Sequence, residues 1–124
     1  MDPDYASFPH VPLNAVRLLW ICDYNDLTLS GMLVYQGRLR WYQICDYVPE
    51  TDTHRYVIRE LTDVEATEEE KWEPLFLEHV GDHFAADHKH PDKHLSEHAK
   101  FYQPYGNQPR PDYSTRPIIG WFEM

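Results

Sequence analysis

The stretch Val16-Arg-Leu-Leu-Trp-Ile-Cys-Asp-Tyr24, with its continuation to Leu61, decides how the rest of the 124-residue chain must fold. Leu18 to Tyr24 is short and rich in branched and aromatic side chains, and Asn25-Asp26 behind it tolerates the left-handed backbone of a tight turn. In Leu27 to Tyr35, residues Leu27, Leu29, Leu33 and Tyr35 share one parity and Met32 and Val34 the other, so the second half of the run should be covered on both faces. Gly31, in mid-run, marks a bulge or a close approach by a packed element. Gln36-Gly37 fits a two-residue hairpin loop.

Arg38 to Val48 reads as the third strand, with Leu39 and Trp41 facing a core and Arg38 and Arg40 meeting water. Tyr42 and Ile44 fall on the charged parity, which implies that a helix or tail covers the far end of that face. After the turn-rich Pro49-Glu-Thr-Asp-Thr53, His54 to Leu61 alternates again as a fourth strand.

Outside the sheet, Met1 to Asn14 carries three prolines and reads as an irregular surface arm, with Tyr5 and Phe8 as its anchors. Thr67-Glu-Glu-Glu70 fits a capping box at a helix start, and Trp72, Leu75, Phe76 and Val80 form a stripe to lay on the sheet. Pro74 breaks or restarts that helix near Glu73, and the second part should run to about Phe84 with Gly81 a weak spot. Pro91 is suited to open a helix over Asp92 to Tyr102, with Leu95, Ala99 and Tyr102 along one side. Gln103 to Arg116 reads as a proline-rich loop, and the apolar Pro117-Ile-Ile-Gly-Trp-Phe122 should return to the core or pair as an edge strand. The expected fold class is α+β: an antiparallel meander of four to five strands, one or two helices on one face, and a Pro-rich C-terminal tail.

One domain over 1–124 is the economical expectation, with an arm at 1–14, the sheet at 16–61, a helical segment at 62–102 and the tail at 103–124. The net charge of −10 with only 11 Lys and Arg argues against a nucleic-acid partner, because phosphate contacts need clustered cations. It suits a basic partner or the mimicry of nucleic acid, although solubility is its more ordinary use. No leader or apolar run of spanning length is present, so a soluble, cytoplasmic protein without a membrane partner is expected. Ile-Cys-Asp-Tyr occurs at 21–24 and again at 44–47, but four residues do not establish a repeat. Cys22 and Cys45 are expected to be buried and reduced.

Six of the eight histidines fall between His79 and His98. His79 and His83, His90 and His94, and His94 and His98 are each four apart, which on a helix places both imidazoles on one face. His79, His83, His94 and His98 are therefore the candidate ligands for zinc, nickel or copper, with Asp82, Asp87 or Glu97 in support. Solvated, core-edge or pH-responsive histidines account for the same pattern. No His-Glu-x-x-His or Cys-x-x-Cys word is present, and the glycines are scattered singly, so neither a metalloprotease nor a phosphate-binding loop is indicated. Trp20, Trp41, Tyr42 and Tyr56 would line an apolar cavity if the sheet curled, although core packing is their more ordinary use. The reading that results is a non-catalytic binding or protein-interaction module, self-associating as a homodimer through an edge strand or aromatic face, with a metal-binding protein or small metalloenzyme as the alternative.

Overall fold

The computed structural model describes residues 4–85, 91–92, 95–109 and 111–124. Five strands form one antiparallel sheet in sequence order: β1 Val16–Tyr24, β2 Thr28–Tyr35, β3 Arg38–Val48, β4 Thr53–Arg59 and β5 Ile118–Glu123. Three helices follow β4: α1 Asp63–Glu70, α2 Glu73–His79 and α3 Ser96–Gly106. The meander and its turns follow from local chemistry. Gln36 and Gly37 take φ of 54° and 72°, the left-handed pair that a two-residue hairpin needs, and Asp26 (φ 62°) and Asp52 (φ 50°) close the other two turns. The apolar tail segment supplies the fifth strand, with Phe122 fully buried.

Both faces of the sheet are apolar. On one, Leu19, Trp20, Met32, Leu39 and Trp41 pack with Ala66 of α1, Phe76 of α2, and Phe101 and Tyr105 of α3. On the other, Leu18, Ile21, Leu33, Tyr42, Tyr56, Ile58 and Phe122 form a second cluster that also takes in Val11, Phe84 and Met124. Leu19 and Trp20 together oppose Met32, between the pairs Leu18–Leu33 and Ile21–Gly31. This bulge lets two neighbouring large side chains enter the helix-covered face, and it bends β1. Gly31 lies beneath the bend, where a Cβ would stand 2.7 Å from the Trp20 carbonyl oxygen and from the Tyr42 hydroxyl. Of the two roles expected of that glycine, the close approach is realised at Gly31 itself, while the bulge lies on the facing strand β1.

The sheet curls. Residues 9–11 of the arm lie along β5, where Val11 N–H donates to the Trp121 carbonyl (2.7 Å) and Trp121 N–H to that of Pro9 (3.0 Å). Val16 of β1 is five positions beyond Val11, and the turn at Leu13–Ala15 takes up part of that length. Five residues with such a turn span roughly 13 Å. In a flat sheet, β1 and the outer side of β5 would be about 24 Å apart. Curling closes that gap, and the arm straps the seam between the two edge strands. The interior is filled: Tyr42, Tyr56 and Phe122 pack ring against ring at 5.3 to 5.6 Å between centroids, so these aromatics are core rather than the lining of a cavity.

Several expectations need correction. Arg40 does not meet water: it is 6% exposed, donating Nε–H to the Tyr35 carbonyl (3.1 Å) and pairing with Glu60 (3.2 Å). The capping box is Thr62 with Glu65, one turn before the expected Thr67, because the chain turns helical soon after leaving β4. Pro74 does restart the helix in its first turn, but α2 stops at His79, short of Phe84, because Gly81 takes φ 77°. The last helix begins at Ser96 and runs through Pro104 to Gly106, so part of the expected loop is helical. Its buried face is His98, Phe101 and Tyr105, while Leu95 is exposed. Val11, not Phe8, is the buried anchor of the arm. Among the described residues no helix is long and apolar enough to cross a membrane.

Candidate functional site

A groove of about 520 Å³ runs between the β2–β3 hairpin and the helical layer, lined by Arg17, Val34, Leu39, Glu70, Pro74 and Leu77. The hairpin places Val34 opposite Leu39. The α1–α2 break, enforced by Pro74, turns Leu77 outward from the stripe that buries Phe76, leaving it 47% exposed. Most carboxylates of this acidic segment are engaged. Asp63 meets Arg38 (2.6 Å), Glu68 meets Lys71 (2.8 Å), Glu73 reaches Arg17 (4.0 Å), and Glu65 takes two bonds of 2.9 Å from Nε of Arg116. The Arg116 guanidinium holds the Glu65 carboxyl below its ordinary value. Glu70 has no ion-pair partner among the described residues, and with Glu73 it outnumbers Arg17 in the lining of the groove.

The histidines are drawn together differently from their spacing. Because α2 ends at His79, His79 and His83 do not share a helix face. His79 Nδ1 lies 2.7 Å from Glu97 of α3, and His79 and Lys100 together lower the Glu97 carboxyl. His83 is buried, with Nδ1 2.6 Å from the Asp92 carbonyl and Nε2 2.6 Å from the Tyr102 hydroxyl. A carbonyl only accepts, so in the neutral ring Nδ1 carries the proton and Nε2 accepts from Tyr102. Tyr102 in turn accepts from the backbone N–H of Ile21 at the β1 edge (3.0 Å). His83 therefore belongs to a satisfied relay from the sheet through α3 to the loop. His98 is 7% exposed, stands edge-on to His83 at 4.8 Å, and keeps a buried Nδ1 without a hydrogen bond among the described residues. His94 and Asp87 lie outside the described residues; Asp82 accepts from Phe84 N–H (2.7 Å). Among the described residues no group of three or more His, Cys, Asp or Glu is arranged to hold a metal ion.

A second polar knot lies under the helices. Glu69 is 8% exposed and accepts from Tyr105 (3.1 Å) and Tyr113 (2.8 Å), joining α1 to α3 and the tail. Burial raises both tyrosine hydroxyls well above the usual phenol range, so they remain donors. Cys22 Sγ lies 3.4 Å from the Tyr105 oxygen, whose proton is already given to Glu69, so the thiol is the donor. Burial pushes that thiol up to about 12, which leaves it protonated at neutral pH and without nucleophilic activation. Cys45 is also free, and β2 separates its strand from that of Cys22.

Sequence reasoning missed the groove, although one signal was present: Leu77 is an apolar residue off the stripe of Trp72, Leu75, Phe76 and Val80. It also missed Glu69, whose burial sets it apart from the acidic run around it. No family model matches the chain, and neither the curated proteins nor the solved structures contain a significant match to it.

Proposed function

We propose that the protein is a non-catalytic interaction module that takes a basic, apolar-anchored protein segment into the groove between the β2–β3 hairpin and helices α1 and α2. The observation behind this reading is the half-exposed Leu77 beside Val34, Leu39 and Pro74, with Glu70 and Glu73 outnumbering Arg17 in the lining. An apolar floor with a negative edge fits a segment that offers a Leu- or Met-sized side chain flanked by Lys or Arg. The overall charge of −10 favours such a partner at long range and disfavours polyphosphates.

The test is backbone-amide NMR of the full chain titrated with a twelve-residue Lys/Leu peptide and with its Glu/Leu counterpart. Shifts should concentrate at Val34, Leu39 and Leu77 for the basic peptide only, weaken with salt, and vanish in Leu77→Asp. Equal response to both peptides, or shifts centred elsewhere, overturns the reading. A metal-binding reading has one observation in its favour, the buried Nδ1 of His98 beside His83. It requires His83 to exchange its Tyr102 bond for a metal bond. Zinc added to untagged protein should then raise the melting temperature, and His98→Ala should abolish the rise; unchanged melting with zinc overturns it.

A further inference from the structure

The arm that straps the seam occupies a seat that reads its sequence. Val11, 2% exposed, lies over Gly120, where a Cβ would come within 2.9 Å of Val11 Cγ2 and 3.2 Å of the Pro9 carbonyl. Only a glycine in β5 admits the arm so closely. His10 stacks on Trp121 with centroids 4.2 Å apart, and the Trp121 indole N–H donates to the Phe8 carbonyl (3.1 Å). Farther along, the Tyr5 hydroxyl donates to Asp46 (2.7 Å) and accepts from Arg55 (2.9 Å), whose guanidinium also lies 5.3 Å from the Trp121 ring. These contacts fall on β3, β4 and β5, at the opposite end of the sheet order from β1, into which the arm leads. The connection to β1 is short and mostly exposed: Pro12, then the turn Leu13–Ala15 closed by one backbone bond, Ala15 N–H to the Pro12 carbonyl (2.9 Å).

We infer that the β5 seat is an interaction surface for the arm of a second copy of this chain. The seat recognises residues 5–11 and is indifferent to which molecule supplies them. Straightening the turn at 13–15 carries the arm away from its own β5, and Pro12 keeps the released segment extended. Reciprocal exchange then gives a two-fold dimer in which each seam is strapped by the partner's arm, with every contact of the seat remade and only the turn at 13–15 opened. Within one molecule the tethered arm competes at an effective concentration of the order of millimolar. Exchange is therefore disfavoured in dilute protein and favoured when the hinge is too short for the arm to reach its own seat. None of the seat residues lines the groove proposed above, and the inference does not depend on it.

Ultracentrifugation of the full chain and of a variant lacking Leu13, Asn14 and Ala15 tests this. The wild type should be monomeric at about 10 µM and partly dimeric toward about 1 mM; the shortened-hinge variant should be dimeric at the lower concentration. Val11→Asp in that background should return it to monomer, and Leu77→Asp should leave the dimer intact. A shortened-hinge chain that stays monomeric, or a dimer that survives Val11→Asp, overturns the inference. Should the deletion prevent folding, wild type unfolded and refolded at about 1 mM, as an equal mixture of isotope-labelled and unlabelled chains, gives the same answer by native mass spectrometry. Trapped mixed dimers are expected, and monomers alone overturn the inference.

Discussion

Replacing Gly31 by alanine should be among the most damaging single-methyl additions to this protein. The added Cβ would stand 2.7 Å from the Trp20 carbonyl oxygen, 2.7 Å from the Tyr42 hydroxyl and 2.8 Å from Tyr42 Cζ. The first is backbone held in the β1 bulge, and the other two belong to a ring with no exposed surface, so neither neighbour moves freely. Overpacking of this kind costs typically about 1–3 kcal/mol, and the rigid neighbours place it near the upper end. Alanine restricts the unfolded chain more than glycine does, which offsets about 0.7 kcal/mol. The net loss is about 2 kcal/mol, or roughly 8 °C in melting temperature for a chain of this size. Urea denaturation followed by Trp fluorescence measures it. Tyr42→Phe provides an internal control, because the hydroxyl is buried without a hydrogen bond and its removal should cost less than about 1 kcal/mol. In the double variant one of the three close contacts is gone, so the two effects should couple by about 0.5–1 kcal/mol. Gly31→Ala within about 0.5 kcal/mol of wild type would refute the packing argument.

Tyr102→Phe removes the acceptor of the Ile21 N–H and the donor to His83 Nε2 together, and should cost about 2 kcal/mol in urea denaturation; a neutral result would mean that the relay is not formed in solution. The lowered Glu65 carboxyl contributes stability that is fully present above the unfolded value of about 4.3 and is lost as pH falls below it toward the folded value. The stability difference between wild type and Arg116→Met should therefore be constant from pH 7 to about pH 5 and shrink below about pH 4; a difference that does not shrink at all on acidification contradicts the assignment. Val11→Ala should cost about 1.5 kcal/mol, appearing in stopped-flow as roughly tenfold faster unfolding with little change in the folding rate. Slower folding instead would place the strap in the folding nucleus.

The sheet was legible because its signals are local. Alternation and turn residues placed Arg38 to Val48 as a strand, and Gln36-Gly37 as its hairpin, without any knowledge of the neighbours. Curvature was not legible, since it arises from the β1 bulge and the passage of the arm across the seam; nor was the burial of Arg40, whose partners are the Tyr35 carbonyl and Glu60. The helix register failed where a local rule had two readings. Thr62 and Thr67 both stand three residues before an acid, and Pro91 suits a helix start as well as a loop. Tertiary burial chose Ser96 as the start of α3, because His98, Phe101 and Tyr105 form the stripe that fits under α2 and the sheet. The histidine spacing was visible but its meaning depended on that register. Gly81 separates His79 from His83, while two residues fifteen apart, His83 and His98, meet edge to edge.

The strap also sets an order of events during synthesis. Phe8 and Trp121, which it brings together, are 113 positions apart. The arm therefore waits for a strand made long after it, while the hairpins β1–β2 and β2–β3 can zip as they emerge. Until then the growing chain carries a four-stranded sheet whose β4 edge awaits a partner, which makes this the interval in which the nascent protein is most exposed to wrong pairing with a neighbour.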